Sequence, residues 1–228
     1  MIDLLKHYDE MWQNGHKEIV SGHVYCDEQI DSLFDKRFGI TLLARPEKKV
    51  IEEIQGFYAG IQEIEADQYF YPPSDLHMTV LSIISCYAGF KLEQIVPEQY
   101  MEIIASVLNQ ISSFRIKFDG ITLTNSAVLI QGFPVDSTLE VLRDRIRSSF
   151  KSSKLEHSID ARYRLQTAHL TAIRFKKPLQ NRTLFLEKLQ QYRNYSFGSS
   201  EITRLDLVYN DWYQKSSRVR ILKSFDLS

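Results

Sequence analysis

Two segments of this chain run in the same order: an apolar strand closed by proline, a helix, a polar loop, and an apolar run interrupted by His-x-Thr. In the first, "FGITLLARP" (Phe38 to Pro46) leads to a stripe of Val50 or Ile51, Ile54, Phe57 or Tyr58, and Ile61, then to "YFYPPSD" and "DLHMTVL". In the second, "AVLIQGFP" (Ala127 to Pro134) leads to Leu139, Leu142, Ile146 and Phe150, then to a basic loop and "AHLTAI". His77 follows Pro46 by 31 residues, and His169 follows Pro134 by 35. Apolar runs read as strands and stripes of period 3.6 as helices, so the repeated order predicts an internal duplication by pattern, with little residue identity. The natural architecture is a duplicated α+β sandwich of two small sheets with outer helices.

Each unit continues into another helix and more strand. Pro97 to Ile111 carries the stripe Met101, Ile104, Leu108 and Ile111, and "FRIKFDGITLT" reads as a hairpin turning at Asp119-Gly120. In the second half a helix over roughly 181–192 precedes the strands "ITRLDLVY" and "SRVRILKSF". Ser137 and Glu140 have capping-box spacing, and the Leu139 to Phe150 stripe is expected to leave Arg143, Arg147 and Lys151 facing outward. No Gly/Ser-rich linker separates the halves, so residues 38–228 are expected to form one bilobal domain. Residues 1–37 are an N-terminal extension packed on it, helical at first (Ile2, Leu5, Tyr8, Met11, Trp12) and then acidic.

The net charge of the 228 residues is −1, yet it is unevenly spread. Residues 1–75 hold 7 Lys or Arg against 15 Asp or Glu, whereas residues 143–193 hold 13 against 4, so the second segment is suited to meet an anion. Cys26 and Cys86 lie far apart without CxxC spacing, which argues against a disulfide framework or a zinc knuckle. His23 and Cys26 alone make a poor ligand set. No run of 18 apolar residues exists and the start is charged, so neither a membrane span nor a signal peptide is supported, and a cytoplasmic location is the default expectation.

A single His-x-Thr in an apolar strand is ordinarily a hydrogen-bonded core histidine beside a β-branched residue. Two in matching settings define a chemical tool. Residues two apart on a strand share a face, so His77 with Thr79, and His169 with Thr171, each present an imidazole beside a hydroxyl. Imidazole gives or takes a proton near neutrality, and a facing pair can divide base and acid between them. The hydroxyls can hold the non-bridging oxygens of a phosphate. That set suits phosphodiester chemistry without a metal, since the motif offers no carboxylate or cysteine to complete a ligand set.

The chain thereby resembles the two-histidine (2H) phosphoesterases, including the bacterial 2′-5′ RNA ligase-like proteins and the cyclic phosphodiesterases. The resemblance rests on "HMT" at 77–79, "HLT" at 169–171, their separation of 92 residues and the shared strand-helix-strand setting, and it spans about residues 38–225. It implies a bilobal, duplicated ferredoxin-like fold of two small antiparallel or mixed sheets around a central cleft. It implies His77 and His169 as the acid-base pair, Thr79 and Thr171 as phosphate ligands, and no cofactor. The implied substrate is a 2′,3′-cyclic phosphate, an ADP-ribose cyclic phosphate or a 2′-5′ linkage, and the implied partner a nucleotide or RNA end. Arg174 matches an arginine that many ligase-like members carry five residues after the second histidine. Strict alternation sets Arg174 on the face opposite His169, so a place in the site requires a bulge. Tyr71, and the cluster Tyr209, Trp212 and Tyr213, are candidates to stack a base, and Arg162 and Arg164 to rim the cleft. The alternative from another class is a non-catalytic module that holds a nucleotide or RNA end in the same cleft. Which histidine is acid, hydrolysis against ligation, and oligomeric state stay open.

Overall fold

The computed structural model describes residues 3–228. Its helices are α1 (Leu4–Val20), α2 (Lys48–Gln62), α3 (Pro97–Leu108), α4 (Thr138–Ser152) and α5 (Arg182–Gln191). Its strands are β1 (Arg37–Ala44), β2 (Tyr69–Phe70), β3 (Met78–Ala88), β4 (Phe114–Leu123), β5 (Ala127–Pro134), β6 (Leu170–Arg174), β7 (Ser196–Ile202), β8 (Arg204–Asp211) and β9 (Arg220–Asp226). The strand order is β7-β4-β5-β6-β3-β1-β8-β9, with β2 added to β6, and the pairings are antiparallel. The fold is a mixed α+β arrangement in which two halves, β3-β1-β8-β9 and β7-β4-β5-β6 with β2, meet at one residue pair, Met78↔Leu170 of β3 and β6.

The halves exchange strands relative to chain order. β4 follows the first unit yet pairs with β5 and β7, while β8 and β9 return to β1 in the first half. The Asp119-Gly120 hairpin is corrected: β4 runs straight through this dipeptide, with a register shift against β5 between Phe118 and Ile121. Gly120 has φ +75 there, its N–H donates to the Tyr195 carbonyl at 2.7 Å, and a Cβ would stand 2.4 Å from the Arg193 carbonyl oxygen. Asp-Gly serves a left-handed bulge as well as it serves a two-residue turn, and pairing with β7 selects the bulge. The chain turns instead at Thr124 to Ser126, where the Ser126 N–H donates to Thr124 Oγ1.

The helices follow their stripes with instructive exceptions. α2 buries Val50, Ile54, Phe57, Tyr58 and Ile61. α3 begins with Pro97 in its first turn and buries Tyr100, Ile104, Val107 and Leu108. In α1 the buried face is Tyr8, Trp12, Gly15 and Ile19, against β4, whereas Leu5 is 65% exposed and Ile2 lies outside the described residues. α4 buries Leu139, Leu142, Ile146 and Phe150, but Arg143 with them, so its outward placement is corrected. The Ser137 capping box is not formed; the Asp136 carboxylate instead accepts the Thr138 N–H at 2.8 Å. Among the described residues no helix is long and apolar enough to cross a membrane.

Candidate active site

A cavity of about 860 Å³ lies along the split between the halves, and His77, Thr79, His169, Thr171, Tyr71 and Arg174 all line it. β3 begins directly after His77 and β6 directly after His169, so the single β3–β6 pair sets the two motifs beside each other. Both imidazoles and both threonines are half-buried. Among the described residues neither Thr79 nor Thr171 donates its hydroxyl to a protein acceptor, which leaves both hydroxyls for a ligand.

Each imidazole is held through Nδ1. In His77 that atom lies 2.7 Å from the Asp75 carbonyl oxygen; a carbonyl only accepts, so Nδ1 carries the proton and Nε2 is the free lone pair of the neutral ring. Asp75 is itself fixed, its carboxylate accepting from Ser74 Oγ and from the Ser216 N–H. In His169, Nδ1 lies 2.7 Å from Thr167 Oγ1, a partner able to donate or accept. Burial pushes His77 down to about 4, with Arg45 and Arg174 adding to the effect and the Asp75 carbonyl opposing it. Burial also pushes His169 down to about 4, joined by the charges of Arg143, His77 and Arg174. Both rings are therefore neutral at pH 7 in the free protein, and a phosphate anion placed between them favours their protonated forms.

The bulge that Arg174 requires is present. Ala127 pairs with Arg174 and Val128 with Ile173, but Leu129 pairs with Thr171, so Ala172 is the extra residue of β6. This resets the alternation and turns Arg174 into the cavity, where its Nε donates to the Tyr71 hydroxyl at 2.9 Å. The displaced Ala172 carbonyl is satisfied by the Tyr71 N–H and the Tyr58 hydroxyl. Tyr71 is almost fully buried, so it supports Arg174 and His77 from behind rather than offering a free ring face.

Of the aromatic cluster, Trp212 alone lines the cavity. Tyr209 stacks on Phe38 at 4.9 Å, and the buried Tyr213 bonds Asp27 and Arg37 through its hydroxyl. Arg162 lies 4.7 Å over the Trp212 ring and donates to the Cys86 carbonyl; Arg164 lines the rim and pairs with Asp144. The basic segment thus gives the cavity Arg162, Arg164 and Arg174. Cys86 is at the wall too, but burial pushes its thiol up to about 12, which removes it as a nucleophile near neutrality. Among the described residues no group of three His, Cys, Asp or Glu is placed to hold a metal ion.

Several residues at the site were missed from sequence. α1 contributes His7 and Met11 to the cavity wall. Between them, the Tyr8 hydroxyl donates to the Gly132 carbonyl and accepts the N–H groups of Gly132 and Ala168, which anchors the residue preceding His169. Arg143 was missed although the periodicity contained it: Leu139, Arg143, Ile146 and Phe150 are spaced 4, 3 and 4 apart, the spacing of one helix face.

The fold and the paired motifs define a class, that of the two-histidine phosphoesterases. Among solved structures, the chain matches TT0787 of Thermus thermophilus with a TM-score of 0.62 at 14% identity, covering 83% of this chain and 97% of that one. It matches E. coli LigT complexed with 3′-AMP at a TM-score of 0.55 and 14% identity, over 84% and 99%. It also matches the conserved protein of unknown function ATU0111 from Agrobacterium tumefaciens at 0.55 and 14%, over 92% and 97%. No curated protein matches the chain. The chain belongs to the AKAP7 2'5' RNA ligase-like domain family, whose model matches residues 40–224, within the 2H phosphoesterase superfamily.

Proposed function

We propose that this chain is a phosphodiesterase that opens a 2′,3′-cyclic phosphate, or cuts a 2′-5′ linkage, at a nucleotide or RNA end. The observation that carries the reading is the convergence of two His-x-Thr motifs from two sheet halves on one cavity that Arg174 also lines. Family membership supports the reaction class. The fold it shares with LigT, solved with 3′-AMP and with ATP, is compatible with a nucleotide.

The fixed tautomer suits His77 to the base. Its Nε2 takes a proton from water as the water oxygen bonds to phosphorus. The departing ribose oxygen takes a proton from His169, which the bound phosphate has drawn into its imidazolium form. One P–O bond forms and one breaks, leaving a phosphomonoester. Thr79, Thr171 and Arg174 are positioned to stabilise the charge that builds on the non-bridging oxygens. The residues present supply acid, base and anion binding themselves, and no cofactor is part of the proposed route.

The test is turnover of a panel of 2′,3′-cyclic nucleotides and 2′-5′ dinucleotides in the presence of excess chelator. His77→Ala and His169→Ala should each lose about 10²- to 10⁴-fold in rate. Near-normal turnover in either variant refutes the acid-base assignment. Saturable nucleotide binding without product would make the cleft a binding module instead.

A further inference from the structure

We propose that Arg143 is a positioning residue whose guanidinium spans the split between the two motif strands and holds both His-x-Thr motifs in register across the cavity. The proposal rests on the phosphodiesterase reading for its catalytic consequence and on geometry for its placement. β3 and β6 share only the Met78↔Leu170 pair. To one side of it β6 takes β2 as partner, through Phe70↔Ile173 and Tyr69↔Arg174. To the other side an antiparallel ladder would continue through Thr79, Val80, His169 and Ala168, and there the strands part.

Arg143 enters that gap from α4. Its Nε donates to the Val80 carbonyl at 2.8 Å, and its Nη2 donates to the Thr79 carbonyl at 3.0 Å and the Thr167 carbonyl at 2.7 Å. One of these carbonyls belongs to a motif threonine. Another belongs to the residue whose hydroxyl holds His169 Nδ1. The guanidinium therefore replaces ladder hydrogen bonds that the split removes, and it does so from both sheet halves at once.

This is a costly way to fill space. Arg143 is 3% exposed, and its hydrogen bonds run to backbone carbonyls rather than to a carboxylate. A buried cation with no carboxylate in hydrogen-bond contact, Asp160 and Glu140 acting on it only through space, is less favourable than a well-packed apolar side chain of similar volume. What arginine provides is a planar fork that bonds several acceptors in fixed directions, which a lysine ammonium cannot copy. Its charge also bears on His169. His77 and Arg174 face that ring as well, and Asp160, Arg164 and His7 line the same cavity.

The experiment compares Arg143→Gln and Arg143→Lys with the wild type, with activity normalised to folded protein. Two readouts are used: NMR titration of the His169 imidazole without ligand, and kcat and KM on adenosine 2′,3′-cyclic phosphate. Arg143→Gln should raise the His169 midpoint by about one pH unit and lower kcat by roughly 10- to 100-fold with KM little changed. Arg143→Lys should keep the wild-type midpoint, because the charge stays, yet still lose about tenfold in kcat because the fork is gone. A folded Arg143→Gln with unchanged midpoint and kcat overturns the proposal. So does full activity in Arg143→Lys, the variant to read where Arg143→Gln does not fold. A wild type that turns over no substrate sinks the phosphodiesterase reading, while the His169 titration still decides whether Arg143 sits where the geometry puts it.

Discussion

Acidifying the solution from pH 7 to pH 5 should destabilise the fold through two identified side chains. His77 and His169 are each pushed down to about 4 by burial, against an unfolded value near 6.5. In the window between those values the unfolded chain binds more protons than the folded one, so stability falls as pH falls and is fully regained above about 6.5. The slope is about 1.4 kcal/mol per pH unit per group, which from 6.5 to 5 gives about 2 kcal/mol for each ring. Both rings border the cavity and are half-buried, so solvent screening reduces this to roughly 1–2 kcal/mol each. The pair then accounts for roughly 2–4 kcal/mol, a large part of a typical stability of about 5–15 kcal/mol. Urea unfolding at pH 7, 6 and 5, on the wild type and on the His77→Gln/His169→Gln double variant, measures it. Asp35, held below the usual carboxylate range despite its burial by hydrogen bonds to Arg37, loses its contribution only as pH falls through its own lower value, and does so in both proteins. The double variant should therefore show a flatter pH dependence by roughly the amount stated. Equal slopes between pH 7 and 5 would refute the claim that the folded state keeps these rings neutral.

Three further outcomes follow from the same contacts. Gly132→Ala would put a methyl 1.9 Å from the Ala168 carbonyl oxygen, forcing β5 away from the segment that carries His169, and should cost on the order of 3 kcal/mol in urea unfolding. Tyr8→Phe withdraws the acceptor of the Gly132 and Ala168 N–H groups and should cost about 1–3 kcal/mol by the same assay. Glu65, fully buried, accepts the N–H groups of Gln180 and Asn181 through one carboxylate oxygen and Gln68 Nε2 through the other. Glu65→Ala should lower Tm through loss of about 1–3 kcal/mol, with Glu65→Gln intermediate because one acceptor remains.

The duplicated order of strand, helix and His-x-Thr was legible because alternation and helical stripes are local, and the convergence of both motifs on one cavity follows once the halves pack. Three features were not legible, for separate physical reasons. Asp119-Gly120 satisfies a hairpin turn and a left-handed bulge equally, and the choice was made by β7, more than 70 residues downstream. The return of β8 and β9 to β1 is a long-range pairing that leaves no local trace. Arg143 stood in the buried stripe of α4, but its charge argued for solvent, because the carbonyls of Thr79, Val80 and Thr167 that receive it lie far away in sequence. Arg174 shows the reverse: alternation stated the condition, a bulge, and Ala172 meets it.

The N-terminal segment packs on the sheet and also reaches the cavity wall. α1 lies against β4, buries Tyr8, Trp12 and Ile19, and sends His7 and Met11 to the cavity wall. Arg193, beyond α5, packs its guanidinium on the Trp12 ring at 5.0 Å and pairs with Asp9, so the helix is held from two sides. Deletion of residues 1–22 removes the burial of Tyr8, Trp12 and Ile19, about 1.5–3 kcal/mol each, offset in part by the conformational entropy that the helix no longer gives up, and bares the face of β4 that the helix covers. The truncated chain should therefore unfold at a clearly lower Tm by circular dichroism, although the family model begins only at residue 40. If it unfolded with the Tm of the full chain, α1 would be an appendage and its place in the cavity wall incidental. If instead it stayed folded but bound phosphate more weakly, His7 would be the first residue to replace.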